Sequence, residues 1–332
     1  MQKEKPLVSI ITPCYNGEKT IERQMDSIIQ QTYRPIEYIL VNDGSTDSTE
    51  EIVKRYENKF KDANIIFKYI HQENKGLGGA INTGLKIFTG DYLCWPDADD
   101  YLENDSVEKR VLFLEKNKDF GAVSSDANIY NYDDLKNPIG MVSGKKKERF
   151  NENQFELLLK EKSIFCSGCH MVKTEAFLDV NPERDIYEAR RGQNWQMLLP
   201  IYYKYKRGFI DEPLYNYIVY PVSMSHEEEN LEKELFRVNE HETIIIKTLE
   251  RMQMEEKEFY FNEIKERYIR KRFNVYCKYK NIDGLEQEFK KLKDINKLTK
   301  EDKINKLAYS HTSFMFILKL YRKIRGIFIW RK

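Results

Sequence analysis

The chain has 332 residues, 33% of them charged, and a formal net charge of +1. That length allows one large domain, or one domain with an extension, and the balanced charge gives no compositional case for nucleic acid as a partner. The N-terminal run MQKEKPLVSIITPCYNGE has only a short apolar stretch, broken at Pro13. It is too short for a signal peptide's apolar region or a membrane span, so the expectation is a cytoplasmic body.

The first hundred residues alternate between two patterns. Residues 7–12 (LVSIIT), 36–41 (IEYILV), 65–70 and 91–95 read as strands. Residues 18–31, with Ile21, Met25, Ile28 and Ile29 at helical spacing, read as a helix. So do residues 48–60, with Ser48 and Glu51 as a capping box, residues 77–88, and residues 105–117 with Asp105 as the cap. Strands alternating with helices over short links imply a parallel, doubly wound sheet. Apolar runs without polar alternation fit strands buried on both faces. Beyond residue 120 the pattern predicts a strand at 121–125, a loop or hairpin over 130–147 and a helix at 153–161. A strand at 164–172, a helix at 193–205 and a strand at 208–211 follow. From 227 to 295 the chain reads as long, charged helices, which sets a boundary near His226 between domains 1–226 and 227–332.

Each strand of the first half is followed by a polar, turn-rich segment. These are Pro13-Cys14-Tyr15-Asn16-Gly17-Glu18, Asn42-Asp43-Gly44-Ser45, His71-Gln72-Glu73-Asn74-Lys75-Gly76, and the run Trp95-Pro96-Asp97-Ala98-Asp99-Asp100-Tyr101. Open parallel sheets bind ligands at the carboxyl ends of their strands, so four such loops on one edge make a site. Asp97 and Asp99 are two apart, and extended backbone would turn both to one side. Carboxylate oxygens suit a hard divalent cation such as Mg²⁺ or Mn²⁺, shared with phosphate oxygens. Asp100 would support the turn or contact substrate, and the bland alternative makes all three solvated turn residues. Asp43 could accept from a nucleobase N–H or a ribose hydroxyl, and Lys75 could meet a base or a phosphate. The Gly-Leu-Gly-Gly after Lys75 is not a P-loop, because Gly-Lys-Ser/Thr is absent.

The five cysteines are sparse and odd in number, which argues against a disulfide framework. Cys166-Ser167-Gly168-Cys169-His170 matches the spacing of c-type haem attachment. That chemistry requires export, and a zinc site would want a second ligand pair. The plain reading is a buried strand of small residues.

Taken in order, ITPCYNGE, YILVNDGSTD, NKGLGGAINTGL and DYLCWPDADDYL resemble the nucleotide-binding half of family 2 glycosyltransferases with the GT-A fold. The resemblance covers about residues 6–225. It implies a nucleotide-sugar donor, usually a UDP-sugar, a Mn²⁺ or Mg²⁺ ion, and inversion at the anomeric carbon. It puts Asp43 on the uracil, with Pro13, Tyr15 and Glu18 lining the nucleotide pocket and Lys75 nearby. Asp97 and Asp99 become the D-x-D pair, Asp99 ranking ahead as the direct metal ligand. His226 stands where such enzymes often carry a late His or basic residue that meets the metal or diphosphate; a plain surface His is the alternative.

One departure stands out. The family usually places an acid just before a Trp at a helix start, where it deprotonates the acceptor hydroxyl. Here the segment reads Arg190-Arg191-Gly192-Gln193-Asn194-Trp195, and amides are not bases at neutral pH. The base could be displaced, with Glu188 first and Asp185 and Asp211 behind it. The acceptor could be an anionic phosphate, or the protein could bind donor without turnover. Arg190 and Arg191 either hold phosphate or are solvated charges. Residues 312–332 carry Phe314, Ile317, Tyr321, Ile324 and Phe328 on one helical face, opposite Lys319, Arg322 and Lys323. Such a helix lies on an anionic membrane surface or packs on the helical region.

The expected function is therefore an inverting, metal-dependent transferase that moves a sugar to a saccharide or lipid-linked acceptor of a cell-surface polysaccharide, peripheral on the membrane's inner face. A donor-binding protein without turnover and a nucleotidyltransferase on a related sheet are the alternatives.

Overall fold

The computed structural model describes residues 5–221 and 230–310. Strands β1 (Val8–Cys14) and β2 (Ile36–Asp43) are buried at every position, as apolar runs without alternation require. With β3 (Ile65–Gln72) and β4 (Tyr92–Cys94) they form a parallel set, β2 lying between β1 and β3, and β1 between β2 and β4. Helices α1 (Ile21–Ile29), α2 (Thr49–Asp62) and α3 (Gly76–Ile87) connect them. The first three strands each run about two residues past their apolar run. The ladder carries Asn42 and Asp43 opposite His71 and Gln72, so the polar edge begins inside the sheet.

Two expected caps are corrected. Ser48 makes no side-chain bond to α2. Instead Ser48 N–H donates to Glu18 Oε2 at 3.2 Å, and Thr49 N–H donates to Asp47 Oδ1 at 3.0 Å. Asp105 makes no cap bond to α4 (Ser106–Lys116) and pairs with Lys109 at 2.7 Å. Gln31 accepts from Val107 N–H there. Helix starts need their amides satisfied but not by the nearest oxygen in sequence.

The rest of the sheet comprises β5 (Tyr101–Leu102), β6 (Phe120–Asn131), β7 (Gly140–Met141), β8 (His170–Lys173) and β9 (Lys206–Val219). The order is β3-β2-β1-β4-β8-β6-β9-β5, with β7 beside β6. β8 is antiparallel to both β4 and β6, and β6 is parallel to β9. β6 and β9 therefore run the same way as β4, and their carboxyl ends emerge on the same edge. The strands expected at 121–125 and 208–211 are parts of these two long elements. The strand expected at 164–172 is shorter: Ser167–Cys169 form one 3-10 turn, and only then does β8 begin. Short helices α5 (Phe155–Leu159) and α6 (Thr174–Val180), and the longer α7 (Gln193–Lys204), complete this part. Tyr38, Phe60 and Phe67 anchor one end of its core, the last two stacked at 4.4 Å.

The chain divides into two units, Met1–Ser223 and Met224–Lys332. Within the second, α8 (Leu231–Arg251), α9 (Lys257–Tyr279), α10 (Ile282–Asp294) and α11 (Lys300–Ser310) follow one another. Phe273, Cys277 and Leu285 pack its centre. Arg272 of α9 bridges Glu242 of α8 and Glu288 of α10. His226 and the basic amphipathic segment 312–332 lie outside the described residues. Among those residues, no helix is long and apolar enough to cross a membrane.

Candidate functional site

Side chains lace the loops after β1 and β2 together. Asn16 N–H donates to Ser45 Oγ at 2.9 Å, and Thr46 N–H donates to Asn16 Oδ1 at 2.8 Å. Gly17 N–H donates to Thr49 Oγ1 at 2.8 Å, and Glu18 N–H to Asp47 Oδ2 at 3.0 Å. Pro13 is buried at the end of β1, while Tyr15 stands 54% exposed beyond it. The Glu18 carboxylate faces the start of α2. Asp43 is buried, and its Oδ1 accepts from Gln72 Nε2 at 2.7 Å and from Lys75 N–H at 2.9 Å. Pro13, Asp43 and Lys75 thus sit on one edge, with Asp43 and Lys75 in direct contact.

The acidic run follows β4. It is a turn at Ala98 and Asp99 rather than extended backbone, so strand alternation does not align Asp97 with Asp99. Tertiary contacts do. Asp97 Oδ2 accepts from Ser167 Oγ at 2.5 Å, and Asp97 N–H donates to Tyr215 Oη at 3.3 Å. Tyr215 in turn donates to Asp100 Oδ2 at 3.0 Å, and Ile218 N–H donates to Asp100 Oδ1 at 2.8 Å. Both oxygens of the buried Asp100 are therefore engaged in holding the turn to β9. Arg23 of α1 donates to the Asp99 carbonyl at 2.6 Å and to Tyr220 Oη at 2.9 Å.

These carboxylates carry charge that the protein does not fully offset. Burial, and next the charge of Asp99, push the Asp97 carboxyl up to about 7. The Asp99 side chain reaches solvent, yet the packed turn around it still partly desolvates its carboxyl and raises it, against the pull of Arg23. Asp100 is raised well above its usual range by burial, then by Asp99 and Asp97. No lysine or arginine pairs with the Asp97 carboxylate among the described residues. Two crowded carboxylates with one side open fit a divalent cation that completes its shell from phosphate oxygens and water. Among the described residues, no three His, Cys, Asp or Glu side chains gather as a self-sufficient metal site.

The glycines after Lys75 have a different use from cradling phosphate. A Cβ on Gly78 would stand 2.8 Å from Ala189 N. Its absence lets residues 185–191 lie across the start of α3, with Gly78 N–H donating to Ala189 O at 2.9 Å. Asn82 clamps Ile186 through both its backbone groups, and Gln196 clamps Tyr187 likewise. Glu188 is exposed on this loop, two residues from Arg190. Asp211 is engaged elsewhere, 3.1 Å from Arg149.

Asn194 explains the missing acid. Its Oδ1 accepts from Trp95 Nε1 at 2.8 Å, and its Nδ2 donates to Phe165 O at 2.6 Å. The amide ties the end of β4 to the segment that delivers Ser167, a task that needs a donor and an acceptor together. Replacing Asn194 with Asp should therefore lower stability by about 2 kcal/mol, because the Phe165 carbonyl would face a buried carboxylate. Chemical denaturation checks this, and no gain in turnover is expected.

The C-x-x-C-H run is placed differently from a plain strand. Ser167 reaches Asp97, and Gly168 lies against the Tyr215 ring. His170 is buried, bonded through Nδ1 to Ser124 Oγ at 2.8 Å and stacked on Trp95. Burial pushes its pKa down to about 3, which keeps it neutral. All five cysteines are free thiols. Sequence spacing carries no sign of Arg23, Ser167 or Tyr215, because each meets the acidic turn from a remote segment.

A family model described as Glycosyl transferase family 2 matches residues 9–180, just over half of the chain. Glycosyltransferase GlyA of Streptococcus pneumoniae serotype 4 is 33% identical over 183 residues, which is 55% of this chain and 24% of that protein. The chain thus spans about a quarter of that relative's length. Among solved structures, S. aureus TarS 1-349 in complex with UDP-GlcNAc aligns with a TM-score of 0.58 at 18% identity, over 91% of this chain and 79% of that one. The mannosyltransferase PcManGT from Pyrobaculum calidifontis, in complex with GDP-Man and Mn²⁺, aligns at 0.53 and 16% identity, over 98% and 84%. At these identities the likeness is one of fold, and that fold is GT-A.

Proposed function

Since the chain belongs to glycosyl transferase family 2, we propose that it transfers a sugar from a UDP-sugar, with inversion, to a saccharide or lipid-linked acceptor in cell-surface polysaccharide synthesis. The observation that carries this reading is the incompletely offset Asp97–Asp99 pair, held on the same sheet edge as Asp43 and Lys75. Asp43 would take the uracil, between Pro13, Tyr15 and Glu18 on one side and Lys75 on the other. Asp97 and Asp99 would hold Mn²⁺ or Mg²⁺, which when bound offsets the charge on the departing diphosphate. His226 remains a proposed further ligand. The ligands in the two structural neighbours support a nucleotide-sugar donor.

In the reaction, an acceptor oxygen attacks the anomeric carbon from the face opposite the phosphate. The new carbon–oxygen bond forms as the bond to the diphosphate breaks, and UDP carries away the electron pair. The acceptor proton needs a base, and Asn194 is not one. Glu188 is the proposed base: it is exposed beside the α3 start. Glu188→Gln should slow transfer to a hydroxyl acceptor by roughly 10²-fold or more; unchanged turnover would refute the assignment. A reading without turnover is kept alive by the engagement of both ends of Asn194.

The decisive experiment incubates the protein with Mn²⁺ and a panel of UDP- and GDP-sugars and measures nucleotide release. One responding UDP-sugar supports the reading, whereas binding without release supports the alternative. Attachment to an anionic membrane through residues 312–332 belongs to the same proposal. Equal liposome flotation with and without those residues would remove it.

A further inference from the structure

We propose that Tyr132 and Tyr220 form a stacking ledge for a pyranose ring of a saccharide acceptor, an inference that rests on the sugar-transfer reading above. The sheet order divides the edge in two. The loops after β1, β2 and β3 lie on one side of β4, and β6 and β9 lie on the other. Because β6 and β9 run parallel to β4, the residues just past their carboxyl ends, Tyr132 and Tyr220, come out on the edge that carries the acidic turn.

The two rings are neighbours, with centroids 6.0 Å apart and planes tilted by 30°. Tyr132 is 50% exposed, and Tyr220 is half-buried. The ledge is tied to the turn through one side chain, since Arg23 donates to both Tyr220 Oη and the Asp99 carbonyl. It is also built rather than loose. Tyr132 N–H donates to Val219 O at 3.1 Å, and Asp134 N–H donates to Asn131 O at 3.1 Å. Asp134 then accepts from Lys136 N–H, Asn137 N–H and Asn137 Nδ2. Tyr132 therefore rides on a turn pinned by these hydrogen bonds.

A pyranose has one face of C–H bonds and a rim of hydroxyls. Such a face packs on an aromatic ring and sheds water from both, while the rim reaches polar groups around it. Tyrosine offers an apolar body with a polar tip and loses little conformational freedom when it is covered. A saccharide lying on Tyr132 and Tyr220 would present its end toward the Asp97–Asp99 turn. The donor half of the edge would remain free for the nucleotide.

The test uses the full chain on an immobilised panel of pyranose oligosaccharides, with release of UDP from UDP-sugars in Mn²⁺ and without acceptor as a second readout. The expected result is retention of at least one saccharide class, weakened tenfold or more in Tyr132→Ala and kept in Tyr132→Phe, with UDP release unchanged in both. Three outcomes overturn the proposal: no saccharide retained by the parent chain, equal retention by Tyr132→Ala, or slower UDP release in Tyr132→Ala. Retention that depends on the Tyr132 ring, without UDP release from any donor, would instead refute the transfer reading and leave the ledge standing.

Discussion

Asp99→Asn is expected to lower nucleotide release by roughly 10²–10³-fold, and Asp97→Asn by a similar factor. Asp99 is exposed, and its described hydrogen bond to Arg23 is through the backbone carbonyl, which the substitution leaves intact. Asp97→Asn keeps an oxygen for the Ser167 hydroxyl. Neither change opens a cavity. Both remove a charge from a crowd in which Asp99 raises Asp97, and both raise Asp100. The thermal midpoint should therefore hold or rise while activity collapses, because relief of like-charge repulsion stabilises the fold. Nucleotide release against Mn²⁺ concentration, beside a thermal melt, checks both halves. Full turnover in Asp99→Asn would end the metal–diphosphate reading of the turn.

Gly168→Ala is expected to cost about 3 kcal/mol, at the upper end of what overpacking a core usually costs, and to lower the melting midpoint by several degrees. A Cβ at that position would lie 2.0 Å from Cε2 of Tyr215. The ring is fully buried in the core and cannot swing aside without breaking its contacts to Asp97 N–H and the Asp100 carboxylate. Activity should fall with stability, since the same ring positions the acidic turn. Gly140→Ala is the matched control: its nearest neighbour would be Ile129 Cδ1 at 3.9 Å, so it should be close to neutral. Equal melting points for the two variants would show that the turn tolerates displacement of Tyr215.

The alternation of strand and helix in the first half was readable because it is written locally. A buried strand needs an unbroken apolar run, and a helix needs apolar residues three and four apart. The carboxyl-edge loops followed from that alternation, since parallel strands send every such loop to one side. The caps differ from the local expectation because their amides find other oxygens, Glu18 and Asp47 at α2 and Gln31 at α4. The strand expected at 164–172 is cut short because Gly168 lies against the Tyr215 ring and the backbone turns there. Neither cause has a signature within a short window of residues.

The sequence by itself determined the kind of sheet, the edge that carries the candidate site, and the residue types placed along it: Asp43, Lys75, Asp97 and Asp99. These depend on periodicity and strand direction, which neighbouring residues control. Only the tertiary structure decided what orients them. Ser167 reaches Asp97 across 70 residues, Arg23 reaches Asp99 across 76, and Tyr215 reaches Asp100 across 115. It also assigned Asn194 to joining Trp95 and Phe165. The physical reason is that a hydrogen bond selects a partner by position and direction in space, and folding brings those partners together from segments whose spacing along the chain carries no record of the contact.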